Sequence, residues 1–398
     1  MSQNVGTFIM IELALKYGCN PHQKPARIFN RHGPLPFSVL NGAPGYINLL
    51  DALNSWQLVK ELRETLDTPA AASFKHVSPA GAAVGVPLND DLKKAYFVEG
   101  MDLSPLAVAY ARARGADRLS SYGDWAALSD PVDVPTARLL RREVSDGVIA
   151  PGYHPEALDI LKKKKGGAYP VLQVDPDYKP VETECREVFG LTFEQQCNDL
   201  IAGPDLLGNV VTRRKEIPPD KARDLLVATI TLKFTQSNSI CFALQGQAIG
   251  VGAGQQNRLA CTDIAAGKAE AWFLRQHPDV LDLDFRKGAR RPEKINAIEL
   301  YLKGDMTPEE KRAWRGSFRK APPPFGDAPR REWLRRLRGV TLGSDAYIPF
   351  RDNIDRAART GVEYVIQTGG SVQDDAVTAA ADEYGMVMVN TGIRLFHH

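Results

Sequence analysis

The run Ala70-Ala71-Ala72-Ser73-Phe74 is small and apolar, and it stops at Lys75-His76. Such a run predicts a short buried strand. The chain then turns at Ser78-Pro79 into Ala80-Gly81-Ala82-Ala83-Val84-Gly85. Ser before Pro predicts a helix start, because Ser caps free amides and Pro suits the first helical turn. A cation and an imidazole are therefore expected between a strand's carboxyl end and a helix's amino end, where open α/β proteins bind ligands. Taken alone, the dipeptide fits a solvated lysine beside a structural histidine equally well.

Helical and extended patterns alternate on either side of it. Apolar residues at helical spacing run from Leu49 to Leu66, and further helices are predicted over 103–114, 220–232, 258–276 and 374–384. Short strands are predicted at 146–150, 171–174, 364–367 and 386–389, with a hairpin around Gln245-Gly246-Gln247. The pattern implies an α/β protein with two comparable halves, although no sequence repeat is visible. The run Lys162–Lys165 reads as a solvated helix end. Residues 286–338 carry sixteen Lys/Arg against seven Asp/Glu around Pro322-Pro323-Pro324, and read as a small basic helical insertion in the second half.

Composition excludes several classes. A net charge of +2 does not point to nucleic acid, and the basic stretch, interspersed with acids, reads as a solvated face. The five cysteines are scattered and lack a C-x-x-C pair, which fits a reducing cytoplasm rather than a disulfide or zinc framework. The start, Met1 to Gly6, lacks a secretory pattern, and no apolar run of about 18 residues suggests a membrane span.

Five other polar clusters accompany Lys75-His76. They are Lys16-Tyr17-Gly18-Cys19-Asn20-Pro21-His22-Gln23; Ser120 to Asp124 with Glu143 to Gly147; Lys233 to Ser239; Gly250 to Arg258; and Arg394-Leu395-Phe396-His397-His398. The glycines of the fourth do not form a dinucleotide fingerprint, since Gln255 stands where G-x-G-x-x-G requires Gly. Close backbone approach or phosphate contact remains open there. No G-x-x-x-x-G-K-[ST] loop occurs, so ATP-driven chemistry is disfavoured.

In this order the clusters resemble one family over nearly the whole chain: the formyltransferase of purine synthesis that acts on aminoimidazole carboxamide ribonucleotide (AICAR). It is usually the carboxyl-terminal half of a bifunctional protein that also carries IMP cyclohydrolase. The stretches Lys75 to Gly81, Ala109 to Asp117, Thr235 to Ser239, Gly252 to Gln256 and Pro349 to Asn353 carry the resemblance. It implies two cytidine-deaminase-like α/β/α units, spanning 1–180 and 181–285 with 339–398, and a helical insertion at 286–338. It also implies a cytoplasmic homodimer with shared active sites, 10-formyltetrahydrofolate as co-substrate, and neither nucleic acid nor membrane as partner. No metal is implied, and the deaminase signature that joins H-x-E to P-C-x-x-C is absent.

The resemblance assigns His76 as general base and Lys75 as stabiliser, and the chemistry agrees. The AICAR amine is a poor nucleophile that must lose a proton, which a neutral imidazole can accept near pH 7. Attack leaves an oxyanion on the formyl oxygen, for which Lys75 and Asn238 are candidate donors. Lys16, Tyr17, Gly123, Asp146, Tyr347 and Arg394 match nucleotide contacts. Arg258, Asp352, Ser371 and Val372 match positions near the folate or the shared cleft, and Tyr122 and Phe350 are candidates to sandwich the pterin. Lys16 stands where the family commonly has Arg, so phosphate is expected to meet a point charge rather than a bidentate fork. Tyr347 replaces a common Phe. Only about fifteen residues precede the first motif, so a stand-alone transferase without cyclohydrolase is expected. A non-catalytic folate- or nucleotide-binding paralogue is the competing reading.

Overall fold

The structure is a computed structural model and describes residues 11–398. The Met1–Gly6 stretch read above for a leader lies outside them. Eleven strands form one mixed sheet: β1 (Phe37–Asn41), β2 (Ala70–Phe74), β3 (Pro79–Val84), β4 (Asp124–Leu128), β5 (Ser145–Ala150), β6 (Val171–Val174), β7 (Ile240–Leu244), β8 (Gln247–Gly252), β9 (Val340–Ser344), β10 (Val362–Gln367) and β11 (Val387–Asn390). Their order across the sheet is β11-β10-β9-β7-β8-β3-β2-β4-β5-β6-β1.

This order contains a repeat. In the first half, β3 and β2 form a hairpin, β4 runs antiparallel to β2, and β5 and β6 follow in parallel. In the second half, β8, β7, β9, β10 and β11 repeat those relations. The halves join where β3 and β8 pair antiparallel, with Gln247 opposite Ala83. One half therefore points opposite to the other within a continuous sheet.

Helices cover both faces. The helices α1 (Tyr46–Leu66) and α3 (Pro219–Lys233) lie on one face, and α2 (Pro105–Ala116) and α4 (Arg258–Leu274) lie on the other. Side chains alternate between the two cores, with Ala70, Ala72 and Phe74 facing one and Ala71 the other, so all of β2 is buried. α2 starts two residues later than the 103–114 expectation, where Ser104 caps by accepting from Ala107 N at 3.2 Å and Pro105 occupies the first turn. The basic stretch forms helices Arg291–Lys303, Pro308–Arg315 and Asp327–Leu334 around a core of Tyr301, Trp314, Phe318 and Phe325.

Two expectations are corrected, and the close backbone approach left open at the glycine cluster is seen as helix packing. The segment after Ser78 is strand β3, not a helix: its small residues let α2 approach, and a Cβ on Gly81 would strike Ala113 and Ala116. Gly250 and Gly252 do the same for α4, whose Ala265 and Cys261 backbones fill the space a Cβ would need. Those glycines serve helix packing. Lys164, read as solvated, turns inward: its Nζ donates to Leu140 O at 2.9 Å and Ser145 Oγ at 2.5 Å, and lies 4.1 Å from the Tyr169 ring centroid. Burial pushes its ammonium down to about 7, against the pull of Asp124.

Among the described residues, no helix is long and apolar enough to cross a membrane.

Candidate active site

The strand directions bring most of the candidate residues to one edge of the sheet. That edge carries the β2–β3 turn with Lys75 and His76, the starts of β4 and β5 with Tyr122, Gly123 and Asp146, and the start of β7 with Asn238. It also carries the segments after β8, β9, β10 and β11, which hold Arg258, Tyr347 to Asp352, Ser371-Val372 and Arg394. In the second half the edge is the carboxyl end of the parallel strands; in the first half it is their amino end, because the halves point oppositely.

Residues 75–78 form a tight hairpin turn. Lys75 N donates to Ser78 O at 2.9 Å, and Ser78 N returns to Lys75 O at 3.3 Å. Both central residues have positive φ, 53° at His76 and 56° at Val77, as a type I′ turn requires. His76 is exposed at the tip. Asp51 of α1 accepts from Val77 N at 2.7 Å. Burial raises the Asp51 carboxyl above its ordinary value, against the pull of Val77 N–H and His76. Lys75 Nζ donates to the main-chain carbonyl of Tyr122 at 2.5 Å.

The two halves meet at this turn, where Gln236 N donates to Ser78 Oγ at 3.3 Å. Asn238 N then donates to Gln255 O at 3.2 Å, and Asn238 Oδ1 accepts from Arg258 Nη2 at 3.0 Å. With its oxygen engaged by Arg258, the Asn238 amide presents its NH₂ as a donor. Arg258 also pairs with the fully buried Asp345, which accepts from Ser239 N at 2.9 Å. The carboxyl terminus closes over this turn: Ser237 N donates to His397 O and His397 N to Ser237 Oγ, both at 3.0 Å.

Gly123 has φ +72°, and a Cβ there would lie 3.4 Å from Asp146 Oδ2, so Gly123 and Asp146 adjoin. Asp146 also pairs with Lys165 at 2.8 Å. Beneath them lies a buried ionic network, with Arg114 on Asp124 at 2.6 Å and on Glu143 at 3.0 Å, and Arg118 on Glu143 at 3.3 Å. Arg291 of the insertion joins Glu143 as well. Burial alone would raise Glu143, but Arg118, Arg114 and Arg291 hold its carboxyl at about 2.

The remaining candidates are more open. Tyr347, Phe350, Val372 and Arg394 are exposed, and Arg394 lies 4.6 Å from the Phe396 ring centroid. Asp352 and Ser371 make local contacts, to Asn353 Nδ2 at 2.8 Å and Gln373 N at 3.1 Å. Tyr122 meets Lys75 through its carbonyl. Its hydroxyl is buried without a hydrogen-bond partner among the described residues, and burial pushes the phenol up to about 12. Lys16 is exposed and Tyr17 half-buried, and neither side chain makes a hydrogen bond or ion pair to the other candidates among the described residues. The described residues hold no cluster of three His, Cys, Asp or Glu able to bind a metal.

The family model for the AICARFT/IMPCHase bienzyme matches residues 3–268. This chain belongs to that family. Relatives include the bifunctional purine biosynthesis protein PurH of Xanthomonas campestris pv. campestris, from strain 8004 and strain ATCC 33913. Each is 32% identical over 391 residues, covering 96% of this chain and 58% of the relative. The chain thus spans less than two thirds of the length of those relatives.

Sequence reading singled out neither Asp51 nor Asp345 around this AICARFT/IMPCHase-family site, and it placed Ser78, Arg114 and Glu143 in motifs without giving them a part in the site. For Asp51 a signal existed, a carboxylate amid the apolar positions of α1. Asp345 gave none, because Arg258 lies 87 residues away.

Proposed function

We propose that this protein acts in purine biosynthesis, transferring the formyl group of 10-formyltetrahydrofolate to the 5-amine of AICAR. The observation that carries this reading is the meeting of the Lys75-His76 turn with the Gln236–Asn238 turn, through Gln236 N and Ser78 Oγ at 3.3 Å. A base and two oxyanion donors are thereby gathered from distant parts of one chain.

The amine nitrogen attacks the formyl carbon while the His76 imidazole takes its proton. The carbonyl electrons move to oxygen, giving an alkoxide. Lys75 spends one of its three N–H donors on Tyr122 and retains two for this oxyanion, and the Asn238 NH₂ is the second donor. Each donor is worth roughly 3 kcal/mol. Collapse of the alkoxide breaks the bond to N10, which leaves as tetrahydrofolate and takes up a proton. No covalent enzyme intermediate is needed.

Lys16, Tyr17, Gly123, Asp146, Tyr347 and Arg394 are assigned to the nucleotide. Arg258, Asp352, Ser371, Val372, Tyr122 and Phe350 are assigned to the folate side, where the exposed Phe350 ring is available for stacking. The repeated half-sheets support the reading as two cytidine-deaminase-like units, acting in a cytoplasmic homodimer. IMP cyclohydrolase activity is not assigned to these 398 residues. Mixing the protein with AICAR and 10-formyltetrahydrofolate and following tetrahydrofolate release tests the function. Turnover abolished by His76→Ala is the expected result. An inactive wild type that still binds both ligands would favour the non-catalytic paralogue instead, and undiminished turnover in His76→Ala would remove the mechanism.

A further inference from the structure

We infer that Asp51 is a positioning residue for the base: its carboxylate holds the left-handed His76-Val77 turn that presents the imidazole. This rests on the formyl-transfer reading of the same site.

The turn is a poor one by composition. Two-residue hairpins of this shape favour Asn-Gly, because both central residues have positive φ. His76 and the β-branched Val77 stand there instead, at a cost on the order of 1 to 2 kcal/mol each. Asp51 offsets that cost by accepting from Val77 N at 2.7 Å.

The second half of the molecule repeats the device. Its equivalent turn, Gln245-Gly246 between β7 and β8, also has two positive φ values, 54° and 73°. Asp224 of α3, the counterpart of α1, accepts from Gln245 N at 2.8 Å and Gly246 N at 2.6 Å. That turn lies at the opposite sheet edge and carries no candidate residue.

The two carboxylates differ in charge balance. Asp224 pairs with Arg223 at 3.0 Å and Lys221 at 3.8 Å. Asp51 has no Lys or Arg ion-pair partner among the described residues; the charges acting on it are His76 in the turn and Asp124 at the start of β4.

Three variants of the full chain test this. Asp51→Asn keeps an acceptor for Val77 N but removes the charge. Its kcat is expected to stay within about threefold of wild type at unchanged KM, because Val77 N keeps its acceptor. Asp51→Ala, which loses the acceptor, is expected to fall about 100-fold in kcat with KM held. Asp224→Ala is expected to lower unfolding stability but leave kcat in place. The NMR shifts of the His76 and Val77 amides supply a readout independent of turnover, since they should move in Asp51→Ala and hold in Asp51→Asn even if the wild type transfers no formyl group. An inactive wild type with that pattern intact removes the formyl-transfer reading and keeps the positioning role. Unmoved His76 and Val77 amide shifts in Asp51→Ala, or an equal movement in Asp224→Ala, overturn the inference.

Discussion

Lys75 donates to the main-chain carbonyl of Tyr122 at 2.5 Å, tying the end of β2 to the loop that begins β4. This bond fixes the ammonium on the Tyr122 carbonyl while leaving two of its donors without a partner among the described residues. If the protein transfers formyl as proposed, Lys75→Met should lower kcat by about 100-fold or more with little change in the KM for AICAR, because the interaction assigned to Lys75 develops only with the oxyanion. Steady-state tetrahydrofolate release measures both constants. A rise in KM alone would make Lys75 a ground-state binding residue instead.

The sequence made this cation visible, but not what surrounds it. β2 was legible because five small apolar residues end at a charge. β3 was not, because Ser78-Pro79 mimics a helix start and the turn lacks the Asn-Gly signal; the strand is set by α2 packing onto Gly81. The positions of Asn238 and Arg258 followed from their motifs. Their orientation depends on Asp345, which only the antiparallel pairing of β7 with β9 brings near. The opposed directions of the two halves rest on the single β3–β8 junction, and local periodicity does not encode it.

Arg258 links the Asn238 amide to the buried Asp345 carboxylate. Arg258→Met leaves that carboxylate without its cation and should cost about 3 to 5 kcal/mol in urea unfolding. Adding Asp345→Asn should recover part of the loss, since the stranded charge is then removed. Losses that simply add in the double variant would show that the pair is not coupled.

Gly123 adopts φ +72° with Asp146 alongside. Gly123→Ala imposes left-handed strain and brings a methyl group to 3.4 Å from Asp146 Oδ2. The strain, about 1 kcal/mol, should appear in unfolding stability, and the methyl group crowding Asp146 should raise the KM for AICAR roughly fivefold with kcat held. Calorimetric titration of the nucleotide checks this separately from turnover. Unchanged affinity would take Gly123 and Asp146 out of the nucleotide site.

Glu143 receives Arg114 and Arg118 from the first half and Arg291 from the helical insertion. These cations overcome the burial that would otherwise raise its carboxyl, and hold it at about 2 against an ordinary 4.5. A depressed carboxyl gives stability that is complete above the unfolded value and is lost as pH falls through the folded one. The contribution, on the order of 3 kcal/mol, should therefore be present at pH 7 and decline between about 4.5 and 2. Glu143→Gln removes it at neutral pH. The gap in unfolding midpoint between wild type and variant should be wide at pH 7 and narrow across that acid window. Trp314, buried in the core of the insertion, reports the transition by fluorescence. A gap that stayed constant down to pH 2 would mean that hydrogen bonding, not the charge on Glu143, joins the insertion to the first half.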